Sequence, residues 1–181
     1  SDNMDTEEVQ ASIEAGIPVL GDQREGLMHD KYVVIDQVEV WTGSMNFTAT
    51  GAYRDNNNLI RLRSIEAARR YSSEFSEMFD ENRFGQDRRA EDLNSFFLIE
   101  GSGIQLLFSP EDGVAARIQA LLKDARESIY FMVYSFTAND LGATLLQRFE
   151  DGLTVAGVMD DDQIISNQGS EYGAFREAGV D

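Results

Sequence analysis

The sequence predicts an α/β fold with a mainly parallel mixed sheet that is flanked by helices. In residues 104–159, short apolar runs alternate with amphipathic helical patterns in the order strand–helix–strand–helix–strand. That order is typical of a mainly parallel sheet. In residues 32–63, three short apolar and β-branched runs are separated by turn residues, which indicates further strands ahead of a long helix.

The first part of the chain is predicted to contain helices at both ends and strands between them. Gly16 ends the first helix, because a glycine directly after the last helical residue is a common helix stop. Ser64 precedes the second helix and has the side chain of an N-cap. The predicted elements are a helix at 6–15, strands at 17–20, 32–36, 38–42 and 59–63, and a helix at 65–80.

A second structured part follows a predicted linker. Residues 82–103 are polar and interrupted by glycine, which favours a linker. The run Ser109-Pro110-Glu111-Asp112 combines a cap, a first-turn proline and acids near the positive end of the dipole, so it predicts a helix start. The other predicted elements are strands at 104–108, 129–136 and 153–159 and a helix at 139–150.

Length and composition favour one globular domain or two small ones. The chain has 181 residues, of which 42% are hydrophobic, and this is enough for a packed core. No apolar run reaches the roughly 18 residues of a transmembrane helix, and the absence of cysteine excludes disulfides and thiolate metal sites. The acidic chain has a net charge of −18, which opposes binding to nucleic acid and to anionic bilayers.

One histidine and one lysine stand two residues apart in the segment 28–36, MHDKYVVID. His29 is the single histidine of the chain, and Lys31 is one of two lysines, the other being Lys123. If the segment is extended, both side chains lie on the same face. The ammonium group would neutralise a non-bridging oxygen of a phosphodiester while the imidazole attacks phosphorus.

A turn rich in hydrogen-bond donors follows. The run Gly43-Ser44-Met45-Asn46 supplies a sharp bend, a hydroxyl and an amide, which together with main-chain N–H groups can form an anion-binding concavity. Each fragment alone is typical of a solvated surface pair or an ordinary turn. Their occurrence together, in this order and in a strand–turn context, indicates a phosphoryl-transfer site.

The combination resembles the HKD signature of the phospholipase D superfamily, H-x-K-x4-D followed by G-S-x-N. The matching residues are Met28, His29, Lys31, Asp36, Gly43, Ser44 and Asn46. The resemblance implies a phospholipase D-like module that acts as a metal-independent phosphodiesterase without a cofactor. His29 would be the nucleophile that forms a phosphohistidine, and Lys31, Ser44 and Asn46 would hold the phosphoryl oxygens. Asp36 would support the motif structurally, and a second histidine from another module or subunit would protonate the leaving group.

One position departs from the family pattern. Many relatives carry a glutamate just past the turn that orients the nucleophilic histidine, whereas this chain has Asp55-Asn56-Asn57-Asn58, with Asn57 at that place. An amide oxygen can accept from an imidazole N–H, but it does not stabilise an imidazolium as a carboxylate does. Asp55 is an alternative orienter. A polar turn without any such role explains the run equally well.

Three consecutive acids, Asp160-Asp161-Asp162, follow the strand predicted at 153–159. Carboxylates at a strand end can bind a hard cation. A solvated loop is the favoured interpretation, because so short an acidic run is a weak motif. No metal site is therefore predicted.

A short internal repeat suggests a tandem arrangement. Glu177-Ala178-Gly179-Val180 is similar to Glu14-Ala15-Gly16-Ile17, at an offset of 163 residues (177 minus 14). The resemblance implies a module whose back half carries H-x-K. We therefore expect residues 1–81 to be the C-terminal half of one module and residues 104–181 to be the N-terminal half of the next. The two halves would dock as one module in permuted order.

Three functions remain open, and hydrolysis of a phospholipid diester is favoured among them. The run Asn46-Phe47-Thr48 resembles nuclease-like members of the superfamily, although the negative charge argues against a nuclease. Asn57 and the lack of a second histidine favour a catalytically impaired binding or scaffold module. A homodimer that brings two copies of His29 together would supply the missing histidine. We expect no stable membrane insertion.

Overall fold

In the computed structural model, which describes residues 6–24, 26–85 and 95–180, the chain forms two compact units. The first unit is Ser1–Asp112 and the second is Gly113–Asp181. Each unit has its own hydrophobic core.

The first unit is built around a β-hairpin. Residues 36–38 join its two strands, and Asp36 and Gln37 have positive φ, 52° and 57°. The N–H of Val38 bonds the carbonyl of Ile35 at 3.1 Å, and so short a turn produces antiparallel pairing. The elements are α1 (Glu7–Glu14), β1 (Tyr32–Ile35), β2 (Glu39–Gly43), α2 (Ala49–Tyr53), β3 (Leu59–Arg63), α3 (Ile65–Phe79), β4 (Phe96–Ile99) and β5 (Ser102–Gln105).

Helix α3 packs on the sheet β1-β2-β3 and closes the first core. The Ser64 hydroxyl caps α3 by accepting the N–H of Ala67, as predicted. The Tyr71 ring stacks edge-on against Tyr32 and Phe108, with centroids 4.8 and 5.1 Å away. The buried residues of this core are Val40, Ala67, Ala68, Tyr71 and Leu106.

The second unit contains a parallel strand pair joined by a helical crossover. Ile129 lies opposite Val155 in the register of this pair, and both side chains are buried. The core residues are Ile129, Phe136, Leu145, Val155 and Phe175. The elements are α4 (Val114–Asp124), β6 (Ser128–Val133), α5 (Asn139–Glu150), β7 (Thr154–Met159), α6 (Asp161–Ser166) and α7 (Tyr172–Ala178).

The α/β class is confirmed, but the prediction of a mainly parallel sheet is wrong. Among the described residues, β1-β2-β3 and β4-β5 are antiparallel, and the pair β6-β7 is parallel. Connection length is the physical reason. Tight turns at 36–38 and 100–101 join antiparallel neighbours, whereas parallel strands require a long crossover such as α5.

Several predicted boundaries are also wrong. Residues 17–20, which the structure describes, are not in a strand, and the N–H of Ile17 instead bonds the carbonyl of Ser12 at the end of α1. The predicted linker 82–103 contains β4 and part of β5, while its residues 86–94 lie outside the described residues. The strand predicted at 104–108 is β5, which ends at Gln105 and belongs to the first unit.

The predicted helix start at 109–112 is displaced as well. Helix α4 begins at Val114, because the Asp112 carboxylate accepts the N–H of Phe108 at 2.7 Å and stabilises a separate turn. Side chains of Ser, Asp and similar residues often make such local bonds in place of a helix cap. The assignment of the halves to successive modules stays a prediction.

The acidic run at 160–162 forms the start of a helix. The Asp160 carboxylate caps α6 by accepting the N–H of Gln163 at 3.1 Å. Asp161 and Asp162 occupy the first turn, where the helix dipole interacts favourably with negative charge. Within the described ranges, no group of three or more His, Cys, Asp or Glu side chains could hold a metal ion. No helix in those ranges has the length and apolarity needed to cross a membrane.

Candidate active site

The H-x-K segment and the G-S-x-N turn lie side by side at one end of the first sheet. Tyr32 and Thr42 are the last paired residues of β1 and β2 at this end. Thr42 Oγ1 also donates to the main-chain oxygen of Lys31 at 3.2 Å. This bond holds the backbone of Lys31 against Thr42, one residue before the G-S-x-N turn begins.

Lys31 and His29 contact each other just before β1. Lys31 Nζ donates to the main-chain oxygen of His29 at 2.7 Å. His29 is exposed and Lys31 is half-buried. The bond keeps the ammonium group beside the residue that carries the imidazole, and the imidazole itself is accessible to a ligand from solvent.

Gly43 allows the turn to approach the start of β3 closely. Its φ is +155° in the range that favours glycine, and a Cβ there would clash with the main-chain oxygen of Asn58. The next N–H, that of Ser44, donates to the same oxygen at 3.1 Å. The glycine of the motif is thus required by close backbone packing between β2 and β3.

The Ser44 hydroxyl is the centre of a small hydrogen-bond network. Ser44 Oγ donates to Asn57 Oδ1 at 2.9 Å and accepts the main-chain N–H of Asn58 at 3.0 Å. Asn57 Nδ2 in turn donates to the main-chain oxygen of Gly51 at 2.9 Å. The network connects the turn after β2, the segment before β3 and helix α2.

The loop that carries Asn46 is held by helix α2. Thr48 caps α2 by accepting the N–H of Gly51 at 3.0 Å, and its own N–H donates to the main-chain oxygen of Asn46 at 2.8 Å. Gly51 is buried, and a Cβ there would clash with that same oxygen. The backbone of Asn46 is therefore fixed while its side chain is exposed.

Tyr71 supports the site from the core. Burial raises the pKa of its hydroxyl, a hydrogen bond with Thr42 acts in the opposite direction, and the charges of Asp30 and Glu74 add to the increase. The phenol therefore stays protonated at neutral pH. Because Thr42 also contacts Lys31, the core and the H-x-K segment are connected through one threonine.

Comparison with known protein families matches the part of the chain that carries both motifs. Residues 2–79 match the family model described as "Cardiolipin synthase, PLD-like domain". This match supports the phospholipase D superfamily for this part of the chain. The match includes α1 to α3 of the first unit and every residue of the H-x-K and G-S-x-N motifs.

Individual members of the phospholipase D superfamily are similar over the same part. The mitochondrial cardiolipin hydrolase of Xenopus laevis is 33% identical over 67 residues, which are 37% of this chain and 32% of that protein. The enzyme of the same name from Mus musculus is 33% identical over 67 residues, 30% of its length. The phospholipase D of Rickettsia bellii (strain RML369-C) is 40% identical over 62 residues, 34% of this chain and 29% of that protein. The aligned part is therefore about a third of the length of these relatives.

The structure does not bring every predicted site residue together. Asp36 lies in the β1–β2 turn, at the opposite end of β1 from Lys31. Five residues at about 3.3 Å per residue place it roughly 16 Å away, which agrees with a structural role in the superfamily motif and excludes direct contact with the same phosphate. Asp55 follows α2, where its N–H donates to the main-chain oxygen of Thr50. Its predicted action on His29 stays a prediction.

Sequence reasoning missed two residues of this phospholipase D-like site. Thr42 was regarded only as a strand residue, and Asn58 only as part of a polar turn. The contacts of Thr42 with Lys31 and of Asn58 with Ser44 depend on how β2 is paired with β1 and β3. No local sequence pattern predicts these contacts. The Asn57 amide is engaged by Ser44 and Gly51, and orientation of His29 by Asn57 stays a prediction.

Proposed function

We propose that this chain carries the HKD site of a phospholipase D-type phosphodiesterase that acts through a phosphohistidine on His29. One observation supports this most strongly: the pairing of Tyr32 with Thr42 and the bond from Thr42 Oγ1 to the main-chain oxygen of Lys31 bring the H-x-K segment to the end of β2, where the G-S-x-N turn begins. The proposal needs that proximity, because the nucleophile and the groups that bind the phosphoryl oxygens must meet the same phosphate.

The chemistry proceeds in two displacements. In the first, an imidazole nitrogen of His29 attacks phosphorus, the bond to the leaving oxygen breaks, and that oxygen takes a proton from a general acid. In the second, the conjugate base of that acid takes a proton from water, the water oxygen attacks phosphorus, the P–N bond breaks, and a phosphomonoester leaves. Lys31, Ser44 and Asn46 bind the non-bridging oxygens as their negative charge develops. No metal or cofactor takes part in this scheme.

The general acid must come from outside this copy of the chain if it is a histidine. His29 is the single histidine among 181 residues. A homodimer that brings two copies of His29 together would provide it, as would a second motif in a tandem protein. In either case the isolated chain would be inactive until the second histidine is supplied.

A phospholipid is the favoured substrate class. The similar proteins are named cardiolipin hydrolase and phospholipase D, which supports a phospholipid diester. The run Asn46-Phe47-Thr48 favours a nuclease-like alternative, whereas the net charge of −18 opposes binding to a polyanion. The third alternative, an impaired binding module, is favoured by the amide at Asn57 in place of a carboxylate.

The tandem arrangement is part of the proposal. Gly16 and Gly179 both have positive φ, 80° and 82°, at the ends of α1 and α7. In each case the glycine N–H bonds the carbonyl three residues earlier, and the following N–H bonds the carbonyl five residues earlier. The repeated sequence thus adopts the same helix cap twice, which supports equivalent positions in successive modules. Such caps are common, so the native sequence after residue 181 is the deciding test.

Turnover of bis(p-nitrophenyl) phosphate tests the enzymatic proposal. We expect hydrolysis by the native chain at concentrations at which it forms the homodimer, its complete loss in His29→Ala, and no change on addition of EDTA. Mass spectrometry after rapid quenching should find an acid-labile phosphate on the peptide that contains His29. A stable phosphate on Ser44, or equal turnover by His29→Ala, would remove the mechanism.

Substrate class is tested with natural diesters. Vesicles that contain a diacyl phospholipid and single-stranded DNA should be offered at the same phosphate concentration, with His29→Ala as the blank. Release of the lipid head group without DNA cleavage supports the favoured class. DNA cleavage alone supports the nuclease alternative. Binding of either one without turnover supports the binding module.

A further inference from the structure

We infer that Asn57 is a positioning residue that acts through Ser44 and keeps the phosphate-binding turn in place without adding charge. This inference rests on the proposed function. The relevant observation is that the amide uses both of its ends: Oδ1 accepts from Ser44 Oγ at 2.9 Å and Nδ2 donates to the Gly51 oxygen at 2.9 Å. One side chain therefore ties the motif serine to helix α2.

The hydrogen bonds of Ser44 define what Asn57 does. Its hydroxyl proton points to Asn57, and its oxygen accepts the N–H of Asn58 at 3.0 Å. The main-chain N–H of Ser44 is bonded to the Asn58 oxygen at 3.1 Å. The position of Ser44 is thus set by these three hydrogen bonds before a ligand arrives. A phosphate oxygen can receive the hydroxyl proton only if the bond to Asn57 is exchanged.

A neutral acceptor makes that exchange easier than a carboxylate would. Hydrogen bonds to an ionised acceptor are roughly twice as strong as those between neutral groups. With an aspartate or glutamate at position 57, the hydroxyl would be held more firmly and a negative charge would stand near the anionic substrate. Asparagine keeps the geometry and avoids both effects.

The contact with Gly51 explains why an amide is needed rather than any neutral acceptor. Gly51 is buried in α2, and its carbonyl receives the Asn57 donor. A carboxylate has no donor and would face that carbonyl with a second acceptor oxygen. The same helix holds the backbone of Asn46 through Thr48, so Asn57 fixes Ser44 relative to the other predicted phosphate ligand.

A double-mutant cycle on kcat/KM with bis(p-nitrophenyl) phosphate tests the inference. We expect Ser44→Ala to lower kcat/KM about 10²-fold and Asn57→Ala on the order of 10-fold. The double variant should equal Ser44→Ala, because Asn57 has nothing left to position. The matched control is Asn56→Ala in the same exposed turn, which should match the native chain. Losses that multiply in the double variant would overturn the inference.

Asn57→Asp separates charge from geometry. It retains the acceptor for Ser44 but adds a negative charge and loses the donor to Gly51. We expect KM to rise several-fold, and the rise to shrink at about 1 M salt, where the Debye length is about 3 Å. If Asn57 had only a structural role, the KM of Asn57→Asp would not depend on the salt concentration. An Asn57→Asp variant with native KM at low salt would contradict the inference.

A urea unfolding cycle on the same four proteins is independent of turnover. The shift in midpoint for the double variant should be smaller than the sum of the two single shifts, because both single changes remove the same bond. Additive shifts would overturn the inference. If no turnover that depends on His29 is found even in an assembly that supplies the second histidine, the proposed function fails, and this cycle still decides whether Asn57 acts through Ser44.

Discussion

The two units place different chemistry on the open faces of their sheets. In the first unit the face away from α3 carries a polar cluster: Trp41 Nε1 and Arg61 both donate to the Glu39 carboxylate, at 2.7 and 2.6 Å. The Arg61 guanidinium also lies over the Trp41 ring, 5.8 Å from its centroid. Val33 and Ile35, each 42% exposed, lie opposite Trp41 and Glu39 in the register, so this face is of mixed polarity, and one solvated face is common in antiparallel sheets.

The open face of the parallel pair in the second unit is apolar. Tyr130 and Met132 of β6 are 72% and 76% exposed, and Val158 of β7 lies beside Met132 in the register. Parallel sheets are normally covered on both faces. The first unit therefore combines a sheet face of mixed polarity with the candidate site. The second unit presents a surface typical of a part that requires a cover.

The largest expected effect is a loss of kcat/KM on substitution of Lys31. Each unit contains one lysine, so the two units can be compared directly. Lys31→Arg should lower kcat/KM by about 10²–10³, since loss of one donor to developing charge has an effect of this size and a guanidinium does not replace a point charge. The matched control is Lys123→Arg in α4 of the second unit, which should keep native activity. Steady-state kinetics with bis(p-nitrophenyl) phosphate measures both. Full activity in Lys31→Arg, or an equal loss in Lys123→Arg, would break the assignment of the chemistry to the first unit.

The next effect concerns the core of the second unit. Leu145 is buried, and Leu145→Ala should lower the free energy of unfolding by at least about 2 kcal/mol through cavity formation. Leu121→Ala is the matched control, because Leu121 is exposed and its removal should change the free energy by less than about 0.5 kcal/mol.

Leu145→Ala also tests the prediction that the two halves dock as one module in permuted order. Trp41 is the single tryptophan of the chain and reports on the first unit, whereas circular dichroism reports on both. If residues 104–181 dock on residues 1–80, Leu145→Ala should move the fluorescence transition together with the circular dichroism transition. A fluorescence transition that stays at its native midpoint would contradict docking.

A smaller effect compares two helix caps. Ser64→Ala should lower the free energy of unfolding by about 1 kcal/mol, because Ser64 accepts an N–H at the start of the core helix α3. Asp160→Ala removes an equivalent cap from α6, a helix without fully buried residues. Its loss should appear as faster amide exchange within α6 and leave the urea midpoint nearly unchanged. Equal midpoint shifts would show that α6 is as tightly coupled to its core as α3.

The smallest effect concerns acid stability of the polar cluster in the first unit. The hydrogen bond from Arg61, and then that from Trp41, hold the pKa of the Glu39 carboxyl below its ordinary value of 4.5. A lowered folded-state pKa stabilises the fold above the unfolded value, and this contribution is lost as the pH falls through the folded value. The melting temperature followed by Trp41 fluorescence should therefore fall less steeply below pH 4.5 in Glu39→Gln than in the native chain. Arg61→Gln should make the dependence of the melting temperature on pH similarly shallow. An unchanged slope in both variants would contradict the link between the Glu39 pKa and acid stability.

Much of the local structure could be predicted from the sequence. Helix α5 was predicted at its observed bounds, and Ser64 was identified as the cap of α3, because periodicity and caps act over a few residues. The helix predicted after Ser109 was misplaced, because Asp112 forms a turn with Phe108. The spacing of His29 and Lys31, and the turn at Gly43, were likewise recognisable without a structure.

From the sequence alone, helices α1, α3 and α5, the motif and its resemblance to a phospholipase D-like site could be predicted. Only the tertiary structure decided that the strands of the first unit are antiparallel, that this unit extends to Asp112, and that Asn57 contacts Ser44. The physical reason is the range of the interactions. A cap or a helical stripe involves residues within a turn or two, whereas the Ser44–Asn57 bond joins residues thirteen apart and exists only in the observed register of β2 and β3.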